Sequence, residues 1–147
     1  MLNTTSYFRT TTLRLTLLLL LAFPGSALAE LEIQNPWIKN LPPSVPVRAG
    51  YMTIHNPGSK TVSIVSLSSD AFTSIEIHET VMQDGMMSME PVPTLTIEPD
   101  STVQLAPGGL HLMMMNPGEP TRIGDTIEIR ILLDDGSEQK LEMWVKK

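Results

Sequence analysis

The sequence predicts an all-β domain, an antiparallel Greek-key sandwich or small barrel. Three observations carry this. After the first 29 residues, no run of apolar residues keeps a helical period. Short alternating or β-branched runs recur at roughly even spacing, with Gly, Pro, Asn and Asp between them. The 147 residues hold no repeat, low-complexity tract or linker, so they suit one domain rather than two.

Ten strands are expected. The first, Leu31–Ile38, is closed off by Pro42-Pro43, and the second, Val47–His55, by Asn56-Pro57-Gly58. Thr61–Leu67 follows, with a turn or short helix across Leu67–Ser74. Ser74–Thr80 and Met86–Val92 flank Asp84-Gly85, a hairpin dipeptide. Thr94–Ile97 and Thr102–Leu105 are short. Pro107-Gly108-Gly109 turns the chain into Leu110–Met115. Thr126–Leu133 and Gln139–Val145 form a last hairpin about Asp134-Asp135-Gly136.

Residues 1–29 read as a signal peptide. Arg9 and Arg14 supply a positive start, Leu13–Phe23 an apolar run, and Ala27-Leu28-Ala29 a cleavage site before Glu30. The apolar run is short for a bilayer span, which takes about 20 residues, and no cysteine is present to carry a lipid. The expected product is residues 30–147, periplasmic, without stable membrane insertion. Its formal charge becomes −8, from −6, because the leader removes two arginines and no acids. Such an acidic domain is a poor nucleic-acid ligand, since phosphate binding needs Lys and Arg. The lack of cysteine excludes thiol–disulfide chemistry, thiolate metal sites and a cysteine nucleophile.

The candidate functional residues lie between His78 and Met115, which hold two of three histidines and seven of ten methionines. Strand alternation sets their direction. Ile75 and Ile77 share one face of their strand, and Glu76, His78 and Thr80 the other. Leu110, Leu112 and Met114 share a face, with His111, Met113 and Met115 opposite. The leucine face is expected in the core, with His78, His111 and Met113 looking outward. Met89 is expected in or just after the Asp84-Gly85 turn region, on a loop that closes over the other three. Met52 and Met143 read as core filler, and His55 as a surface residue at a loop edge.

A lone His or a lone Met is usually unremarkable, being solvated or core filler respectively. Imidazole and thioether gathered without thiol suit a soft ion, Cu(I). In an oxidising compartment thiolates are lost to disulfides while thioethers persist. The uncharged set favours the monovalent ion over Cu(II) or Zn(II), and its affinity falls in acid because imidazole binds metal only when neutral.

The spacing His78-x10-Met89-x21-His111-x-Met113 resembles the periplasmic copper(I) chaperones called PCuAC proteins, also the DUF461 family. Flanking segments share the likeness: Ala49–Gly58, Glu76–Thr80, Leu105–Met113 and Gly124–Ile129. The resemblance implies a cupredoxin-like Greek-key barrel or sandwich. It implies Cu(I) held by His78, Met89, His111 and Met113, and delivery to a cytochrome oxidase subunit or its assembly factor for the binuclear copper centre. Some members carry a His/Met-rich tail for Cu(II), and this sequence ends in Trp144-Val145-Lys146-Lys147 without one. Met86 and Met87 compete with Met89 for the hairpin ligand position.

The expected protein is therefore a monomeric metallochaperone, not an enzyme. A blue-copper site needs Cys, an oxygenase of the N-terminal-histidine kind needs His where Glu30 stands, and no hydrolytic triad is apparent. Copper storage or tolerance, and a metal-free interaction module, are the alternatives. The export reading predicts a mature N-terminus at Glu30, which the intact mass of protein recovered from the periplasm checks. A mass retaining residues 1–29 contradicts it.

Overall fold

The structure, a computed structural model, describes residues 30–147. The signal peptide expected over 1–29 lies outside them. The described chain forms ten strands and no helix: β1 (Glu32–Lys39), β2 (Val47–Asn56), β3 (Val62–Ser68), β4 (Phe72–Gln83), β5 (Met86–Pro91), β6 (Leu95–Ile97), β7 (Ser101–Leu105), β8 (Leu110–Pro117), β9 (Thr126–Leu133) and β10 (Glu138–Lys146). All ten expected strands are present with ends shifted by a few residues. The 67–74 segment is strand and turn.

Pairing runs β4-β8-β2-β1-β10-β9-β3, and β3 meets β4 again at Leu67 and Ile75. Seven strands thus close a barrel, which removes the free edges an open sheet would have. β5 extends from β4 as a hairpin, β6 pairs with β3, and β7 pairs with β2. β2 is long enough to pair with β8 through Val47–Gly50 and with β7 through Met52–Asn56. The barrel differs from the all-antiparallel expectation in one ladder. β1 and β10 run parallel, with Trp37 opposite Trp144. They come from the two ends of the domain, and local patterning carries no signal for so distant a pair.

Local chemistry explains the connections. Asp84 and Gly85 both take positive φ, 53° and 76°, as a two-residue hairpin turn of type I′ requires. Gly136 at φ 83° donates its N–H to the Leu133 carbonyl and turns β9 into β10. At Gly50 a Cβ would lie 3.1 Å from Leu112 Cβ and from Met114 Cε. Glycine there lets β8 close tightly on β2.

The core is the barrel interior. Ile54, Ile64, Ile97, Leu105, Leu112, Met114, Ile129, Ile131, Met143 and Val145 are almost wholly buried. Met52 and Met143 are core residues, as their strand positions predict. Arg48 is fully buried at one end of β2. Its Nε donates to Thr121 Oγ1, and its Nη1 donates to the carbonyls of Val45 and Val47. His55 is a strand residue rather than a loose surface one. Its ring Nδ1 lies 3.1 Å from both the Ser101 carbonyl and Thr102 Oγ1, across the β2–β7 ladder.

Leu112→Ala removes a fully buried side chain and should lower stability by about 2–5 kcal/mol. Urea denaturation of the apo protein reads this as a lower midpoint at unchanged slope.

Candidate metal centre

β5, β4 and β8 are consecutive strands, and residues directly opposite on neighbouring strands share a face. His78 on β4 is opposite His111 on β8, and Glu76 is opposite Met113. On the other side of β4, Thr80 is opposite Met89 and His78 is opposite Pro91. Glu76, His78 and Thr80 alternate along one face of β4. Therefore His78, Met89, His111 and Met113 all lie on one face of three adjacent strands. The β4–β8 ladder keeps one register from Phe72–Pro117 to Glu79–Leu110, so His78 and His111 are held by the sheet itself. Their ring centroids are 6.1 Å apart and tilted by 39°.

Hydrogen bonds select the tautomers. His111 Nδ1 lies 3.0 Å from the Gly109 carbonyl. A carbonyl only accepts, so Nδ1 carries the proton and the Nε2 lone pair is left free. His78 Nε2 lies 2.8 Å from Glu76 Oε2. A carboxylate likewise accepts, so Nε2 carries the proton and the lone pair sits on Nδ1. That Nδ1 is buried and has no hydrogen-bond partner. A buried polar atom without a partner costs free energy on the order of 1–3 kcal/mol, and a bound Lewis acid would remove the cost. Imidazole nitrogens sit roughly 2.0–2.1 Å from a bound metal, so two rings sharing one ion have centres roughly 5–6 Å apart. The observed 6.1 Å stands at the upper edge of that range, the wide-angle end at which the two nitrogens face each other across the ion.

The donors also say which ion fits. Among the described residues no three His, Asp or Glu side chains come together as a metal cage. A structural zinc or calcium site would need such a cage. Two imidazoles completed by thioethers suit a soft ion.

Two expectations are corrected. His111 does not look out into solvent: it is 6% exposed, because β8 is an interior strand of the sheet, flanked by β4 and β2. His78 is mostly covered too, its side chain 12% exposed. Met89 is not on a loop. It sits within β5 and is 54% exposed, because the Asp84-Gly85 turn takes only two residues and the strand resumes at once. Met113 is half-buried, beside Ala49 of β2.

Sequence reasoning missed Glu76 and Gly109 as the groups that orient the rings. Each stands two residues before its histidine, so strand alternation already places Glu76 on the face of His78. A cavity of about 470 Å3 opens between β3 and β4, lined by Ile64, Leu67, Ile75, Ile77 and Val92 among others, and it reaches the candidate centre only at Glu76 and Pro91. Its lining holds no histidine or methionine.

His111→Ala should lower apo-protein stability by about 1–2 kcal/mol, through lost packing and the lost bond to Gly109. His78→Ala should cost less than about 1 kcal/mol, since it deletes an unpartnered buried nitrogen along with a single hydrogen bond to the half-exposed Glu76 carboxylate. Urea denaturation of the two variants compares them, and equal losses would contradict the tautomer assignment.

With this geometry in place, comparison with known proteins adds the kinship. Residues 31–145 match the family model LpqE-like, described as "Putative lipoprotein LpqE-like". The chain is 31% identical over 124 residues to "Putative lipoprotein Lxx21020" of Leifsonia xyli subsp. xyli, covering 84% of this chain and 74% of that one. The solution structure of CuI-DR1885 from Deinococcus radiodurans is 29% identical, with TM-score 0.64 over 84% of this chain and 83% of that one. The copper-bound PCuAC domain from PmoF2 superposes with TM-score 0.68 at 18% identity, over 80% of this chain and 94% of that one, a likeness of fold. The chain belongs to the LpqE-like family, and its barrel is the PCuAC domain fold.

Proposed function

We propose that this domain binds one Cu(I) through His78, Met89, His111 and Met113 and hands it to another protein. The observation that carries the reading is the pair of oriented imidazoles, with a buried lone pair on His78 Nδ1 and a free one on His111 Nε2. The chain offers no thiol to compete. Kinship supports the choice of ion, since the related Deinococcus structure is a Cu(I) form.

The roles follow from position. His111 and His78 are fixed by the β4–β8 ladder and supply the strong donors. Met113 comes from β8 at the level of Glu76, and Met89 from β5 at the level of Thr80. The two thioethers thus approach from opposite ends of the histidine pair. Met89 is the most exposed of the four and sits on a strand paired on one side only, so it leaves first during transfer. Met86 is ruled to the other face by its pairing with Gln83, which leaves Met89 nearest in register to His78. Ligand exchange through an exposed thioether lets an acceptor sulfur or imidazole enter as Met89 departs. Each step breaks one coordinate bond from copper to this protein and makes one to the acceptor, and the ion stays Cu(I) throughout.

The compartment is the periplasm, with the leader removed after Ala29. The acceptor is a cytochrome oxidase subunit, or the assembly factor that loads its binuclear copper centre. The protein acts as a carrier, not an enzyme.

Anaerobic Cu(I) titration of residues 30–147 against a colorimetric chelator tests this. One tight equivalent is expected, lost in the His78→Ala/His111→Ala double variant. Met89→Ala should weaken it by at least about tenfold, roughly 1.4 kcal/mol, while Met86→Ala should leave it unchanged. No binding above the double variant would discard the carrier reading and leave the His/Met face as a protein-binding surface.

A further inference from the structure

Three exposed methionines among the described residues remain without a role. Met82, Met86 and Met87 are 66%, 71% and 67% exposed at the tip of the β4–β5 hairpin. Register sorts them. Met86 is opposite Gln83, on the face of Val81 and Ser88. Met82 is opposite Met87, and both share the face of Thr80, Met89 and His78. A line of thioethers therefore runs along one face of the hairpin, from the histidine pair through Met89 to Met82 and Met87 beside the turn.

We propose that Met82 and Met87, with Met89 as a shared third donor, form a second, weaker Cu(I) site, occupied as the ion passes between a partner and the histidine centre. This deepens the Cu(I) carrier reading and rests on it. Directly opposed strand residues have Cβ atoms about 4.5–5.5 Å apart, and the unbranched methionine side chain lets two sulfurs converge on one ion. Met89 is the next residue but one from Met87 on the same strand, so it reaches either site. The outer site lacks imidazole and is open to water, so it holds the ion less tightly than the inner one. Thioethers are soft and selective for Cu(I) over the hard cations of the medium.

Charge gives independent support. From Phe72 to Pro91 the hairpin carries Glu76, Glu79, Asp84 and Glu90 and no Lys or Arg. No Lys or Arg occurs anywhere between Lys60 and Arg122. The field at the tip draws a cation in, while the neutral sulfurs beside it supply selectivity.

The test uses the protein labelled with 13C at the methionine methyls and titrated anaerobically with Cu(I). The first equivalent should move the Met89 and Met113 methyls, and a second, at least tenfold weaker, should move Met82 and Met87 alone, since Met89 is then held by the inner ion. Met82→Leu/Met87→Leu should abolish the second equivalent and keep the first. The His78→Ala/His111→Ala variant should lose the first and still show the Met82 and Met87 shifts, which separates failure of the outer site from failure of the inner one. Met82 and Met87 methyls unmoved by Cu(I) would overturn the proposal. So would a leucine variant that slows delivery to an acceptor while binding Cu(I) as the parent does, since the pair would then be a docking surface.

Discussion

His78 and His111 face each other because β4 and β8 pair in a single register from Phe72–Pro117 to Glu79–Leu110. The core holds that register. Ile75, Ile77, Leu112 and Met114 are the inward residues of the same two strands and are all buried. Slipping one strand by one residue would turn its buried side chains to the other face and expose them. Burial of each such side chain stabilises by roughly 1.5–3 kcal/mol, so the in-register pairing is strongly preferred. The same energy that closes the barrel therefore sets the spacing of the two imidazoles. Gly50 belongs to this constraint, because a side chain there would press on Leu112 and Met114 and shift β8 against β4.

On this frame the polar face needs only small additions. Glu76 and Gly109 each stand two residues before a histidine and each fixes one ring nitrogen. They leave lone pairs on different atoms of the two rings, Nδ1 of His78 and Nε2 of His111. The result is a preorganised pair of neutral donors. What the apo protein bears is the unpartnered Nδ1, a modest strain that ligation would relieve. In the proposed carrier the two imidazoles and the half-buried Met113 lie in the sheet interior, and the exposed Met89 lies on β5. Holding and releasing the ion then fall to different parts of the fold.

Strand existence is legible in the sequence because it is local. Alternation, Asp84-Gly85 and Pro107-Gly108-Gly109 report it residue by residue, and the ten strands appear where those signals place them. The inward faces of β4 and β8 are legible for the same reason. Long-range pairing is not. Nothing near Trp37 or Trp144 announces a parallel ladder between the ends of the domain. The burial of His111 has the same origin: alternation gives the face, but coverage of that face depends on the strands to either side, β2 and β4. Met89 is misplaced onto a loop when the turn is taken as longer than two residues. The cross-strand partners that put Met89, Met87 and Met82 on the face of His78 emerge only once the turn length is known.

A two-faced strand separates core packing from the candidate site, and β8 shows how far the separation goes. Leu112 and Met114 serve only the core, and Met113 lies half-buried on the other face. His111 crosses the divide. It is on the face of the candidate site yet buried, and its Nδ1 bond to Gly109 ties it to the turn that starts its own strand. The turn also receives Thr80, whose N–H donates to the Gly109 carbonyl at 3.2 Å. One carbonyl therefore accepts from both β4 and His111. Gly109, a position with no side chain of its own, thus joins His111 to the strand that carries His78.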